Sequence, residues 1–235
     1  MPPKFGTSGL RGLVTELTDD LVADYTRAFL IACPHGGALH VGQDLRASSP
    51  QIAAAVIRAV QGMGLTAVDH GVLPTPALAL ASMGAGQAAV MVTGSHIPAD
   101  RNGLKFYLPT GEIAKSDEEA IGAALGSGSN TAETGECLSE DGAIPAYIAR
   151  YVDAFGTGAL AGLRIGVYEH SSVARDVMAD ALAGMGAEVV RLARADHFIP
   201  VDTEAVDAET RAMLKGWCEE HQLDALVSTD GDADR

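Results

Sequence analysis

The stretch LHVGQDLRASSPQIAAAVIRAVQGMG, residues 39–64, decides the fold. Its first four residues predict a short strand, and Ser48, Ser49 and Pro50 are typical of the start of a helix. Apolar side chains then recur at helical spacing at Ile52, Val56, Val60 and Met63. Glycines end the pattern. The stretch therefore predicts a strand, a loop and a capped helix, the repeating unit of α/β proteins.

The same alternation continues along the chain. An earlier helix is indicated by apolar residues from Leu21 to Phe29 behind Thr18. Further helices are predicted from Ala77, around 116–125, around 147–155, over 173–185 and over 204–221. Further strands are predicted at TAVDHG (66–71), AAVMVTG (88–94), LKFYL (104–108), LRIGVY (163–168), EVVRLA (188–193) and ALVSTD (225–230).

A run of turn-forming residues divides the chain. Residues 126–142 are poor in apolar side chains, so we predict a first domain over 1–130, a linker over 131–142 and a second domain over 143–235. We expect two α/β/α domains, each a mixed, mostly parallel sheet between helices. Ligands of such sheets lie beyond the carboxyl ends of strands, where VTGSH and STDGDAD both fall.

Composition excludes some classes of partner. The chain has 235 residues, of which 47% are hydrophobic, and a formal net charge of −15, which argues against nucleic acid or an anionic membrane surface. Cys33, Cys137 and Cys218 lie far apart without a C-x-x-C pair, which is typical of buried thiols in a reducing compartment. Because the first residues lack the apolar core of a signal peptide, we expect a soluble cytoplasmic protein.

Three carboxylates follow the last predicted strand. Asp230, Asp232 and Asp234 alternate along the chain and can converge on one hard cation, although a solvated acidic turn is the simpler alternative. An EF-hand would need glycine at the sixth position, where Arg235 stands. A haloacid dehalogenase-type nucleophile would need further motifs after this strand, and none follows in this sequence.

The stretch VMVTGSHIPADRNGLKFY, residues 90–107, carries a candidate nucleophile. Ser95 follows a strand beside a glycine, with His96 and Lys105 nearby. A serine hydrolase is disfavoured, because the stretch is not G-x-S-x-G and adjacent residues seldom point their side chains at each other. The alternative is a polar turn with a capping serine. Asn102 and Gly103 predict an ordinary hairpin turn.

Two further stretches could bind phosphate. FGTSGLRG (5–12) and GQDLRASSP (42–50) surround Arg11 and Arg46 with small residues, which allows a phosphate to approach backbone amides and a guanidinium. Arg46 could equally pair with Asp44 or with a helix end.

Taken together, FGTSGLRG, TGSHIPADRNGLKFY (93–107) and STDGDADR (228–235) resemble, in the same order, the motifs of the α-D-phosphohexomutases. The resemblance spans essentially the whole chain. It implies that Ser95 carries a phosphoryl group, which it donates to a hexose monophosphate to give a hexose 1,6-bisphosphate. It also implies Mg²⁺, held by three aspartates and an oxygen of the phosphorylated serine: Asp230, Asp232 and Asp234.

The resemblance assigns roles to neighbouring residues. Lys105 matches the lysine of N-G-x-K and would be the general acid/base or a phosphate clamp. Arg11 and Arg235 would stabilise phosphate, with Arg46 a weaker candidate, and His96 would make a supporting contact. Ile97 departs from the family, where most members have asparagine, and puts only a supporting turn interaction in doubt.

Family members have four domains, and this sequence matches the first two. We therefore expect an N-terminal portion of a mutase, with phosphomannomutase favoured over a glucose or glucosamine enzyme, and we expect the fragment alone to be inactive. The rival is a noncatalytic module that binds Mg²⁺ and a sugar phosphate. The sequence leaves the oligomeric state open.

Other polar residues receive simpler interpretations. His70 and His170 lie at predicted strand ends and are expected to be hydrogen-bonded loop histidines. Ser171 and Ser172 are expected to cap the helix that follows them.

Overall fold

The computed structural model describes residues 3–6 and 9–235, so Thr7 and Ser8 of the FGTSGLRG stretch lie outside it. A first, mixed sheet has the strand order β1-β2-β6-β5-β3-β4-β8, with β7 paired to β6. Its strands are β1 (Lys4–Gly6), β2 (Gly9–Leu13), β3 (Ala38–Gln43), β4 (Thr66–Val72), β5 (Ala88–Val92), β6 (Arg101–Leu108), β7 (Gly111–Glu112) and β8 (Cys137–Ser139).

The carboxyl ends of the parallel strands β3, β4 and β5 lie side by side along one edge of this sheet. β3 pairs in parallel with both β4 and β5, whereas β5 pairs antiparallel with β6. The loops after β3, β4 and β5 therefore meet at that edge, with the middle of β6 beside them. The loop after β5 contains Ser95.

Helices cover both faces of the first sheet. They are α1 (Asp19–Ala32), α2 (Ser49–Gly62), α3 (Thr75–Gly84) and α4 (Lys115–Ala124). Thr18 caps the start of α1, because its side chain accepts a hydrogen bond from the Leu21 amide at 3.3 Å. The core between α1, α2, α4 and the sheet includes Phe29 and Phe106, whose ring centroids are 4.9 Å apart. On the other face, α3 packs against β3 and β5.

A second sheet has the order β10-β9-β11 and is parallel throughout. Its strands are β9 (Arg164–His170), β10 (Glu188–Arg194) and β11 (Ala225–Val227), and its helices are α5 (Ala143–Phe155), α6 (Arg175–Gly184) and α7 (Ala208–Glu220). The helix α5 packs between α3 of the first unit and α6 of the second. The ends of β9 and β11 therefore face the edge that carries Ser95.

The predicted α/β fold class is confirmed, and several local expectations change. Asn102 and Gly103 form no hairpin turn, because both lie inside β6 and pair with β2. Part of the predicted linker forms β8, which extends the first sheet beside β4. Cys137 is exposed rather than buried, because it lies on this edge strand. The domain boundaries themselves stay a prediction.

None of the helices in the described part of the chain combines the length and the apolar character that crossing a membrane requires.

Candidate active site

Two loops from different sheets meet at the candidate site. Ser95 follows β5 and Asp230 follows β11, and both residues are buried. The Ser95 hydroxyl donates a hydrogen bond of 2.5 Å to Oδ2 of Asp230. The structure thus joins the two stretches that the sequence singled out separately.

The backbone of Ser95 adopts an unusual conformation. Its φ is +51°, in the left-handed region that a serine rarely occupies, and its amide donates to the Thr93 hydroxyl at 2.8 Å. This turn places the Ser95 hydroxyl 3.2 Å from Nδ1 of His96. The expectation that these adjacent side chains would not meet is therefore wrong. The Ser95 hydroxyl nevertheless faces the aspartates, since it donates its hydrogen bond to Asp230.

The three aspartates converge. One ligand atom from each of Asp230, Asp232 and Asp234 lies within 4.8 Å of the others. The first two residues are fully buried, and Oδ1 of each has no hydrogen-bond partner among the described residues. Buried carboxylate oxygens without a donor are costly, and a divalent cation with oxygen ligands would satisfy both. The side chains present therefore fit a cation such as Mg²⁺.

The protein supplies part of the counter-charge itself. Lys105 reaches from β6 and makes ion pairs with Asp234 and, at 2.9 Å, with Asp232. Burial acts to lower the pKa of Lys105, but the two carboxylates outweigh it and the pKa is raised. Burial raises and Lys105 lowers the pKa of Asp232, and the lysine prevails. The ammonium group is therefore charged at neutral pH.

Asp230 makes no ion pair of this kind with a described residue. Burial, and then the charge of Asp232, raise its pKa to about 7. A bound cation would favour its ionised form.

The start of α3 also holds the loop that carries the three aspartates, residues 228–235, which we call the aspartate loop. The Thr75 hydroxyl donates to Oδ2 of Asp232 at 2.7 Å, and the Thr75 amide donates to the backbone oxygen of the same residue at 2.9 Å. These bonds connect the first unit directly to the aspartate loop of the second. Thr75 was not predictable as a site residue, since nothing in the local sequence distinguishes it from an ordinary helix-start threonine.

Arg46 does not face a phosphate site, contrary to its weaker assignment. We call residues 93–100, between β5 and β6, the serine loop. The Arg46 guanidinium donates at 2.6–3.0 Å to backbone oxygens of three residues of this loop and of the first residue of β6: Ser95, Ile97, Pro98 and Arg101. Its Nε donates to Asp44 at 3.1 Å. All five N–H groups of the guanidinium are used. Arg46 thus supports the loop from within, and Asp44 is the partner that the sequence had offered as an alternative.

Asp44 also holds the serine loop in place. It accepts hydrogen bonds from the hydroxyls of Ser49 (2.5 Å) and Thr93 (2.9 Å) and from the Gly94 amide (3.3 Å). Asn102 adds hydrogen bonds of 2.9 Å to the hydroxyls of Ser48 and Ser49. Ser48 and Ser49 therefore tie α2 to the serine loop. Only the density of polar residues in GQDLRASSP could have signalled this network.

The two predicted phosphate-binding arginines lie at the rim. Arg235 lies 3.4 Å from Nδ1 of His96 and 3.2 Å from Glu204. Arg11 pairs with Gly103 in the sheet, two positions from the Gly9–Lys105 pair, so Arg11 and Lys105 share a face. Within residues 3–6 and 9–235, no group accepts a hydrogen bond from the Arg11 guanidinium.

The remaining polar candidates have structural partners. His70 Nε2 lies 2.7 Å from His40 Nδ1 inside the first sheet. His170 Nε2 lies 2.8 Å from the backbone oxygen of Thr229. Ser172 accepts from the Ala174 amide at 2.9 Å, just before α6, whereas Ser171 bonds the backbone of a distant loop at Ile199. The residue that precedes α6 is Ala174 and no described side chain caps this helix, so the expectation that Ser171 and Ser172 cap it is wrong.

Comparison with known proteins agrees with this geometry. Residues 2–132 match the family model described as phosphoglucomutase/phosphomannomutase, alpha/beta/alpha domain I. A phosphomannomutase of Sinorhizobium fredii is 49% identical to this chain, with all of the chain and 52% of that protein aligned. A phosphomannomutase of Salmonella muenchen is 45% identical, with 98% of the chain and 49% of that protein aligned.

A solved structure of a phosphomannomutase candidate from Thermus thermophilus superposes with a TM-score of 0.79 at 27% identity, over 100% of this chain and 56% of that one. The chain spans about half the length of the curated relatives that it matches.

Proposed function

This chain belongs to the phosphoglucomutase/phosphomannomutase family, and from that premise we propose that it supplies the phosphoserine and metal half of a phosphohexomutase. One observation carries the proposal. The Ser95 hydroxyl is 2.5 Å from Asp230 in a cluster where two buried carboxylate oxygens have no partner among the described residues. A nucleophile and a set of unpaired hard ligands in one place suit phosphoryl transfer.

Asp230, Asp232 and Asp234 would hold Mg²⁺, with an oxygen of phosphorylated Ser95 as a further ligand. When bound, the ion would neutralise charge on the transferring phosphoryl group. A phosphoserine among these carboxylates would otherwise meet strong repulsion. We propose Mg²⁺ on the chemistry of these ligands.

In the proposed reaction, the bond between phosphorus and the Ser95 oxygen breaks as a bond forms to a hydroxyl oxygen of a hexose monophosphate, and the proton of that hydroxyl passes to the departing Ser95 oxygen. The product is a hexose 1,6-bisphosphate, which changes its orientation in the site and returns its other phosphoryl group to Ser95. Lys105 is charged and therefore suits a proton donor or a phosphate clamp better than a base. His96 and Arg235 lie beside the hydroxyl, where they would orient the phosphoryl group, and Arg11 would bind phosphate at the rim.

Mannose phosphate is the substrate that we favour, because the two relatives described above are phosphomannomutases. Glucose and glucosamine phosphates are the alternatives. The experiment is a coupled assay of the longer protein that contains this chain, with mannose, glucose and glucosamine 1-phosphates and a catalytic amount of bisphosphate. We expect mannose 6-phosphate as the main product, and comparable rates with all three sugars would contradict the specificity.

The rival is a noncatalytic Mg²⁺-dependent module that binds sugar phosphate. It predicts binding without a covalent phosphoenzyme, whereas a mutase predicts phosphate on Ser95. We also propose that the 235-residue chain alone does not turn over substrate. A cytoplasmic location is proposed on the unpaired thiols of Cys33, Cys137 and Cys218.

A further inference from the structure

Phe198 contacts both the serine loop and the aspartate loop. It lies in the second unit, between β10 and α7, and is half-buried. Its ring centroid is 4.0 Å from Cζ of Arg46, a distance typical of a cation–π contact. Since all five guanidinium donors of Arg46 are engaged in the plane of the group, the ring contacts its free face.

The same ring also contacts the aspartate loop. A Cβ placed on Gly231 would be 3.0 Å from Cε2 of Phe198 and 3.1 Å from the backbone oxygen of Ser95. Glycine at this position therefore lets three segments approach closely: the serine loop, the aspartate loop and the loop between β10 and α7, residues 195–207, which we call the Phe198 loop. A side chain here would push them apart.

The Phe198 loop is fixed at its base. The Ile199 amide donates to the buried Ser171 hydroxyl at 2.8 Å, and the Ala195 amide donates to the backbone oxygen of His170 at 2.9 Å. Arg175 Nη1 donates to the Ala195 oxygen at 3.1 Å. The end of β9 thus holds the loop that presents Phe198 to the first unit.

We propose that Phe198 and Arg46 form a positioning pair, in which the ring holds the guanidinium and the guanidinium fixes the backbone of Ser95 against Asp230. The pair acts through Ser95 and touches no reacting atom. Its effect on phosphoryl transfer rests on the proposed function. Its effect on the serine loop does not.

The test is hydrogen–deuterium exchange of the chain with Phe198→Leu, Phe198→Tyr and the matched control Phe155→Leu, which changes an exposed phenylalanine of the second unit. The amides of Gly94, Ser95 and Ile97 are hydrogen-bonded within the loop or to Asp44 and report its opening. We expect exchange there to become about tenfold faster in Phe198→Leu, the factor for losing a cation–π contact of moderate strength. Phe198→Tyr, which keeps the ring, and Phe155→Leu should behave as wild type.

Unchanged exchange at these amides in Phe198→Leu would overturn the proposal. So would an equal rise across β3 and β5, which would indicate general destabilisation. In the longer protein, we expect Phe198→Leu to lower kcat about tenfold with KM within twofold, since misplacing a nucleophile slows the chemical step. A wild-type protein that never carries phosphate on Ser95 would contradict the proposed function and leave the exchange result standing.

Discussion

The Ser95 hydroxyl donates its hydrogen bond to Asp230 across 135 positions of sequence and between two separate sheets. A surface hydroxyl would bond to water, whereas this one is buried and directed at a carboxylate beside further carboxylates. The arrangement places a potential phosphoryl acceptor where a cation can reach it.

In the longer protein proposed above, Ser95 should carry covalent phosphate after incubation with a hexose 1,6-bisphosphate and Mg²⁺. Intact-mass analysis should show the addition of one phosphoryl group, and peptide mapping should place it within residues 88–101. Ser95→Ala should abolish the addition, while Ser82→Ala, which changes a buried helical serine away from the site, should retain it. Phosphate on another residue would refute the nucleophile assignment.

Asp232→Asn should weaken Mg²⁺ binding at least tenfold, because a charged ligand is lost from a hard-cation site. The fold should persist, since asparagine keeps the shape and can still accept from Thr75. Calorimetric titration with Mg²⁺ measures the affinity and circular dichroism the fold. Asp180→Asn, an exposed change on α6, is the control and should bind Mg²⁺ as wild type does. Equal affinities in both variants would contradict the metal assignment.

Lys105→Gln should make the stability of the chain more dependent on Mg²⁺. Removing the ammonium leaves Asp232 buried without its cation, at a cost of about 3 kcal/mol in the free energy of unfolding of the metal-free chain. Added Mg²⁺ should recover most of that loss. Lys215→Gln breaks only an exposed pair with Glu219 and should change stability by less than about 0.5 kcal/mol. Urea unfolding with and without Mg²⁺ measures the free energy of unfolding. If Mg²⁺ raised that free energy equally in Lys105→Gln and in wild type, Lys105 would not supply this counter-charge.

The alternation of strands and helices was predictable from local periodicity, because each element buries a face with its own repeat. The segment β8 was missed for the same reason. Its three residues, CLS, are exposed and show no apolar alternation, so pairing with β4 alone makes them a strand. Asn102 and Gly103 favour a turn locally, yet pairing with β2 and the Asn102 bonds to Ser48 and Ser49 override that preference.

The residues of the site were predictable as motifs, whereas the contacts that hold them were not. Arg46 is 49–55 positions from the backbone oxygens that it binds, and Thr75 is 157 positions from Asp232. No spacing rule connects such residues. An arginine among small residues suits a phosphate as well as a loop of carbonyls, and only the folded chain distinguishes the two.

Arg46→Lys should destabilise the chain by about 3 kcal/mol, since lysine offers three donors in place of five and leaves buried backbone oxygens unpaired. The matched control is Arg58→Lys, which changes an exposed pair with Asp19 and should cost less than about 0.5 kcal/mol. Chemical denaturation measures both. If the two variants lost similar amounts, Arg46 would not be the support of the serine loop.

The buried pair His40 and His70 should make the chain less stable as the pH falls. Burial lowers the pKa of both, and burial together with His40 lowers that of His70 to about 4. An unfolded histidine takes up its proton near pH 6.5, so the unfolded chain binds more protons below that value. Stability from the neutral pair is therefore present above pH 6.5 and is lost as the pH falls from 6.5 toward 4.

Substituting His70→Gln should remove part of this dependence. Between pH 7 and pH 5, we expect the free energy of unfolding of wild type to fall by about 1 kcal/mol more than that of the variant. His197→Gln, at an exposed histidine, should keep the wild-type slope. Urea unfolding at several pH values measures the slopes. Parallel slopes for wild type and His70→Gln would show that the neutral pair does not set the acid sensitivity of the fold.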